Sequence, residues 1–341
     1  MNSSLRVVTF GELLMRLSTP HHHRFEQVNG FDMVFGGAEA NVAVALAKMG
    51  WDSTFVSLLP NNAISNRAVA ELQLHGVNTS KISFGGDRMG LYFFETGVGD
   101  RPGQVIYDRS GSSMATIDKG HINWEMALEG NNWFHFSGIT PAISESAATA
   151  CLAAIKTASK MGLKISCDVN YRSKLWKYTE NKSAIMSELV QYCDWLITNE
   201  KDASLFFDIQ PIGANSSIER FESVARQLVK KFPKLNIVAG TLRSSDHSTT
   251  ASIQGVMYHQ DQLVTSKVFD IHTVVDRIGT GDAFMAGLIH GMKAYNEPKV
   301  GLDFATASAV LKHTIFGDYN LATAKEIEDL IKGAYPGKVD R

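Results

Sequence analysis

Along the chain, short apolar runs alternate with longer segments in which apolar positions recur at helical spacing. The runs LRVVTFGE (5–12), STFVSLL (53–59), NNWFHFSG (131–138), LKISCDVN (163–170), DWLITNE (194–200) and LNIVAGTL (235–242) predict strands. Most are apolar on successive residues, which suits a sheet covered on both faces. Between them the spacing predicts helices over 38–49, 62–75, 144–161, 181–192 and 218–232. Strand then helix, repeated, predicts an α/β fold with a mostly parallel sheet and right-handed crossovers. After residue 281 the pattern predicts helices only, and Thr323 with Glu326 is a capping-box signature with Gly333 as its closing glycine.

Two stretches break this rhythm. One is LLMRLSTPHHHRFEQVNGFDMVFGG (13–37); the other, MGLYFFETGVGDRPGQVIYDRSGSS (89–113), reads as two alternating strands around a Gly/Asp/Pro turn. Together they predict a small β lid made of insertions, joined to the core at several points within one domain spanning 1–341. Strand alternation puts Tyr107 and Arg109 on one face, and Tyr92 and Phe94 on one face of the partner strand. Exposed lid edges seek partners, so a homo-oligomer, a dimer through the lid, is expected.

Composition narrows the classes. The chain has 341 residues, 44% hydrophobic, and a net charge of -2, with no dense Lys/Arg block, which argues against nucleic acid as a partner. No apolar stretch approaches the ~20 residues that span a bilayer. Arg6, Glu12 and Arg16 interrupt the N-terminal apolar run, which reads as a strand rather than a secretory segment. Cys151, Cys167 and Cys193 are odd in number and flanked by apolar residues, as buried free thiols in a reducing cytoplasm would be. His21, His22 and His23 would alternate sides on an extended segment, a poor chelating arrangement, and read as a solvated turn.

The most suggestive chemistry lies in DRIGTGDAFMAGLIHGM (276–292). A helix beginning near Gly281 leaves its first-turn amides without intrahelical partners, and Gly279 and Gly281 let a phosphate approach the backbone. Gly279, Thr280 and Gly281 would then stabilise a transferring phosphoryl group, and Asp282 would take a proton from a hydroxyl. Spacing alone leaves equal room for an ordinary helix start with an acid favoured by the dipole. A Walker pattern is absent, since GAYPGK (333–338) has the wrong spacing. A dinucleotide fingerprint would need glycine where Phe284 stands.

DRIGTGDAFMAGL resembles the C-terminal signature of the ribokinase-like (PfkB) sugar kinases, and GFDMVFGGAEANVAVALAKMG (30–50) resembles their N-terminal one. The two occur in the family's order, and the resemblance covers essentially the whole chain. It implies a three-layer αβα ribokinase-like core with a β lid. Within the family, GELLMRLS, YDRSGSS, DVNYRSKLW and KHTIFGD are similar to the 2-keto-3-deoxygluconate kinases, although DVNYR is shared with fructokinase-like members.

The resemblance implies ATP-dependent phosphorylation of 2-keto-3-deoxygluconate at O6. Fructose, ribose or 2-keto-3-deoxygalactonate as acceptor, or a non-catalytic sugar sensor, remain as alternatives. It implies sugar contacts at Gly36, Gly37 and Asn41, together with Tyr92, Tyr107 and Asp282. Arg109 and Arg172 are the guanidinium candidates for an acid's carboxylate. The family's Asn-x-x-Glu, which helps place Mg²⁺ through water, corresponds to Asn199-Glu200-Lys201-Asp202, which departs from it in carrying Asp where the family has Glu. The resemblance implies Asp202 or Glu200 as serving the metal. Thr241 and Arg243 are expected at the ATP phosphates, along with Asn199, Gly279 and Gly281, and the segment from Ala307 to Gly317 at adenine, with His313 near it. A monovalent cation behind the Gly279 loop, as in some relatives, is a further candidate cofactor.

Overall fold

The computed structural model describes residues 5–247 and 250–333, so most of GAYPGK lies outside the described residues. In chain order the first elements are β1 (Arg6–Phe10), β2 (Leu14–Ser18), β3 (Asp32–Gly36), α1 (Ala38–Lys48), β4 (Asp52–Leu59) and α2 (Ala63–Leu74). There follow β5 (Ile82–Phe84), β6 (Leu91–Glu95), β7 (Gln104–Asp108), α3 (Trp124–Leu128), β8 (Trp133–Ser137), α4 (Ile139–Ile143) and α5 (Glu145–Lys160). Next come β9 (Lys164–Asp168), α6 (Lys182–Val190), β10 (Trp195–Ile197), α7 (Glu200–Phe207) and α8 (Ser217–Lys231). The last are β11 (Ile237–His247), β12 (Thr250–His259), β13 (Gln262–Ile271), α9 (Thr280–Ala294), α10 (Pro298–Lys312) and α11 (Ala324–Ile331).

The main sheet has nine strands in the order β13-β12-β11-β10-β9-β8-β1-β4-β5. It is parallel from β11 to β5 and antiparallel across β11, β12 and β13. Successive residues of β8 enter opposite cores: Trp133 packs with Trp195 and Ile237 on one face, Phe134 with Ile165 and Phe136 on the other. That two-sided burial explains the unalternating apolar runs. Each such large side chain contributes roughly 1.5–3 kcal/mol through burial.

The sequence pattern does not predict β12 and β13. Their hairpin turns at Gln260 and Asp261, both with φ near +50 to +60°, where glycine or asparagine normally stands. The Tyr258 hydroxyl, 3.1 Å from an Asp261 carboxylate oxygen, helps hold this unusual turn. The capping box at Thr323 and Glu326 is present, and Gly333 adopts φ +72° after α11. All three cysteines are buried and free.

The two interruptions form a second sheet, in the order β3-β2-β6-β7, antiparallel except for the β2–β6 pair. Tyr92 and Tyr107 sit opposite one another across β6 and β7, with ring centroids 6.1 Å apart. His21, His22 and His23 are exposed between β2 and β3. Among the described residues, no helix is long and apolar enough to cross a membrane.

Candidate active site

A cavity of about 430 Å³ opens at the carboxyl ends of the central parallel strands. Glu12 follows β1, Asp168 ends β9, Asn199 follows β10, and Thr241 lies on β11; all four line the cavity. This is where open α/β sheets gather ligand-binding side chains. The second sheet supplies Leu14, Tyr92, Val105, Tyr107 and Arg109 to the other wall.

Gly279 caps α9 with φ +80°, a conformation that favours glycine, and a Cβ there would fall 2.1 Å from the Asp318 carbonyl oxygen. The helix therefore begins with its free amides beside the cavity, and Gly279, Thr280, Gly281 and Asp282 all line it. The Thr280 hydroxyl donates to the Arg277 carbonyl at 3.1 Å and receives a hydrogen bond from Arg243 Nη2 at 3.0 Å.

Asp282 is buried, with one carboxylate oxygen accepting from Asn41 Nδ2 at 2.7 Å. Burial pushes its pKa up to about 7, against the lowering effects of the Asn41 bond and of Arg172, while Glu39 and Asp318 push it further up. A carboxylate balanced between its two forms near neutral pH suits proton abstraction. Asn41 is committed at both ends, since its carbonyl oxygen accepts the Gly37 amide at 3.2 Å. Its contact is thus with the acid at least as much as with any sugar.

Several acids that sequence reasoning did not single out also line the cavity. Asp168 is raised to about 8 by burial and by Asp282, with Arg172 opposing and Asp202 adding to the rise. Glu39 accepts from the Ser137 amide, the Ser137 hydroxyl and the Thr140 hydroxyl at 2.7–2.9 Å, and burial still raises it. Asp318 accepts from the Tyr92 hydroxyl at 2.7 Å. Asn170, at φ +42°, reaches Asp168 through its amide at 3.3 Å. Glu12, Asp168 and Asp318 stand inside GELLMRLS, DVNYR and KHTIFGD, so the motifs pointed to the right segments but not to these side chains.

Arg109 is buried and pairs through Nη2 with Glu12, which also accepts from the Ser112 hydroxyl. Its Nε is buried without a hydrogen-bond partner. Arg172 is exposed at the cavity mouth, its Nη1 donating to the Tyr171 carbonyl at 3.3 Å.

Four expectations need correction. Gly36 does not line the cavity; it backs Asp318, whose carboxylate oxygen lies 2.1 Å from where a Gly36 Cβ would stand. Glu200, at the first position of α7, turns away to pair with Arg220 at 3.0 Å, whereas Asp202, two residues on, faces the cavity. Ala307 is fully buried in the core between helices and β-strands. His313 is also buried, its ring Nδ1 2.7 Å from the Ala309 carbonyl, and burial lowers its pKa to about 4. Neither Ala307 nor His313 lines the cavity.

For a divalent cation the cavity offers hard oxygen donors. Asn199 Oδ1 caps α7 by accepting the Asp202 amide at 2.9 Å, and Asp202 accepts the Tyr171 amide at 3.2 Å. Among the described residues no group of three or more His, Cys, Asp or Glu is placed to hold a metal alone. Asn199 and Asp202 are hard oxygen donors of the kind that would suit a water-held divalent cation. On the other side of the Gly279 loop, Lys312 packs close: its Cε lies 3.4 Å from where a Gly279 Cβ would stand.

The α/β layers, the cavity at the strand ends and the second sheet across it define a ribokinase-like protein. The description "pfkB family carbohydrate kinase" matches residues 4–324, and the chain belongs to that family. It is 32% identical to 2-dehydro-3-deoxygalactonokinase of Haloferax volcanii over 98% of this chain and 99% of that one. The crystal structure of 2-dehydro-3-deoxygluconokinase from Thermotoga maritima superposes with a TM-score of 0.92 at 39% identity, covering 97% of this chain and 99% of that one. A putative 2-keto-3-deoxygluconate kinase from Enterococcus faecalis gives 0.92 at 26% identity, covering 99% of each. The protein is thus a sugar kinase similar to those acting on 2-keto-3-deoxy (2-dehydro-3-deoxy) sugar acids.

Proposed function

We propose that the protein phosphorylates 2-keto-3-deoxy-D-gluconate at its terminal hydroxyl, O6, with ATP as donor. The observation that carries this reading is the pairing of two chemistries in one cavity. Asp282 stands beside a helix mouth, and the buried guanidinium of Arg109 lines the same cavity. A neutral sugar offers the Arg109 guanidinium no opposite charge, whereas an acid's carboxylate would pair with it by a charge-assisted bond. Arg172 supplies a second cation at the mouth.

In the reaction, Asp282 removes the proton from the acceptor hydroxyl, and Asn41 holds the acid in orientation. The amides of Gly279, Thr280 and Gly281 stabilise charge on the phosphoryl group as it moves. Arg243, held against Thr280, and Thr241 meet the nucleotide phosphates. Asn199 and Asp202 would hold Mg²⁺ through water, and when bound the ion offsets charge on the nucleotide oxygens. Tyr92, Tyr107 and the second sheet keep water from the acceptor position.

A second reading, 2-keto-3-deoxygalactonate as acceptor, is favoured by the Haloferax volcanii relative. ADP release with 2-keto-3-deoxygluconate, its C4 epimer and fructose separates the readings. Highest kcat/KM with the gluconate form is expected; highest with the epimer replaces the first reading by the second, and a preference for fructose removes the acid-binding argument.

A further inference from the structure

Beneath the Gly279 loop lies a group of buried charges that the proposed reaction does not use. Arg16, on β2 of the second sheet, is fully buried. Its Nη2 lies 2.7 Å from Asp276, its Nη1 3.0 Å from Asp318, and its Nε donates to the Ser18 hydroxyl at 2.6 Å. The Phe94 and Phe316 rings flank the guanidinium, with centroids 4.6 and 5.6 Å away. Burial alone would make Arg16 easier to deprotonate; Tyr92, Asp318 and Asp276 outweigh it and keep the guanidinium charged. Lys312, equally buried, donates to the Ile315 carbonyl at 2.8 Å.

Charges so deeply buried are weak devices for stability, because apolar side chains of similar volume serve as well or better. What these charges do hold is geometry. Asp276 begins the loop, and one of its carboxylate oxygens accepts the Ile278 amide at 3.0 Å while the other accepts the Gly317 amide at 3.1 Å. Asp318 presents its carbonyl against Gly279 and its carboxylate to Tyr92. Arg16 and Tyr92 are neighbours across β2 and β6, so both cavity walls meet at this guanidinium.

We propose that Arg16 is a positioning residue for phosphoryl transfer: shared between Asp276 and Asp318, it fixes the 276–281 loop and ties it to the strands carrying the sugar-binding side chains. The inference rests on the reading of the Gly279–Gly281 amides as the anion-receiving group. It does not depend on which sugar is the acceptor.

The test compares Arg16→Met, Asp276→Asn and the double variant with wild type, using whichever sugar the wild type phosphorylates fastest. The double variant removes one charge of each sign, so its thermal midpoint returns toward wild type. Its kcat stays at least ~10-fold low while the sugar KM rises no more than ~3-fold, and amides 277–281 exchange hydrogen faster than in wild type. Recovery of kcat together with the thermal midpoint would make the network structural only and overturn the proposal; so would a loss carried by KM or unchanged exchange. If the double variant does not fold, Arg16→Lys decides by the same kcat and KM criteria. Gly279→Ala serves as control: full turnover there would sink the anion-loop reading itself, independently of Arg16.

Discussion

The two walls of the cavity are built from different materials. The core wall offers backbone: the amides at the start of α9, set by the φ of Gly279 and by the Asp318 carbonyl packed against it. The wall from the second sheet offers side chains, namely Tyr92, Tyr107 and Arg109, with Glu12 behind the arginine. Peptide nitrogens are present whichever side chain is carried, proline apart, and they would suit a group common to every turnover, the phosphoryl. Side chains are individually replaceable and suit the part of the substrate that differs between sugars. Under the proposed function, rate resides in one wall and acceptor choice in the other.

Asp282→Asn tests the core wall most severely. It is expected to lower kcat by ~10²–10⁴ while leaving sugar KM little changed. Steady-state kinetics reads the result, and turnover near wild type would take the proton-accepting role away from Asp282.

The side-chain wall is tested next. Arg109→Ala and Arg172→Ala should each raise the sugar-acid KM by ~10–100-fold, the worth of a hydrogen bond to a charged group, with the ATP KM unmoved. Should a neutral sugar suffer equally, the arginines are not reading a carboxylate and the division of labour between the walls fails.

A smaller effect is expected from pH. With Asp282 raised to about 7, kcat/KM should fall on the acid side with a midpoint near neutrality. Stability runs the other way. A carboxyl group whose folded pKa lies above its unfolded value binds more protons when folded, so stability declines as pH rises from about 4 to about 7. Asp168 extends the decline to about 8. Asp282→Asn should therefore raise the thermal midpoint at pH 8 by about 2 °C or more and change it little at pH 4. Equal midpoints at pH 8, read by calorimetry, would show that ionising this acid costs the fold nothing.

Least affected of all should be Glu200→Gln. Its carboxylate faces Arg220 at the surface, so loss of that pair changes stability by about 0–1 kcal/mol and kcat by less than ~2-fold at any Mg²⁺ concentration. Asp202→Asn, by contrast, should raise the Mg²⁺ requirement. Equal effects from the two would erase the distinction between them.

Much of the frame is legible in the sequence because period and capping are local properties. The helix predicted over 144–161 is observed as α5, with Ser144 accepting the Ala147 amide at its start. Other features depend on which turn of the chain faces which neighbour. The strand predicted over 194–200 stops at Ile197, because Asn199 caps a helix; that cap turns Glu200 outward and brings Asp202 in. The spacing of Asn199-Glu200-Lys201-Asp202 contains both carboxylates and cannot rank them without the helix. Ala307 and His313 lie in a segment whose helical face could be inward or outward, and packing on the core decides for inward. Asp318 meets Arg16 across 302 residues of chain, a relation no local pattern carries.

The contact between Asn41 and Asp282 has a consequence for regioselectivity. With Oδ2 accepting from the Asn41 amide, the opposite oxygen is the less engaged one, and under the proposed mechanism it is the one to receive the proton. On the proposed mechanism an incoming polyol would then present one alcohol to that oxygen in preference to its others. A single amide on α1 would thereby bias which position of a multiply hydroxylated molecule is modified.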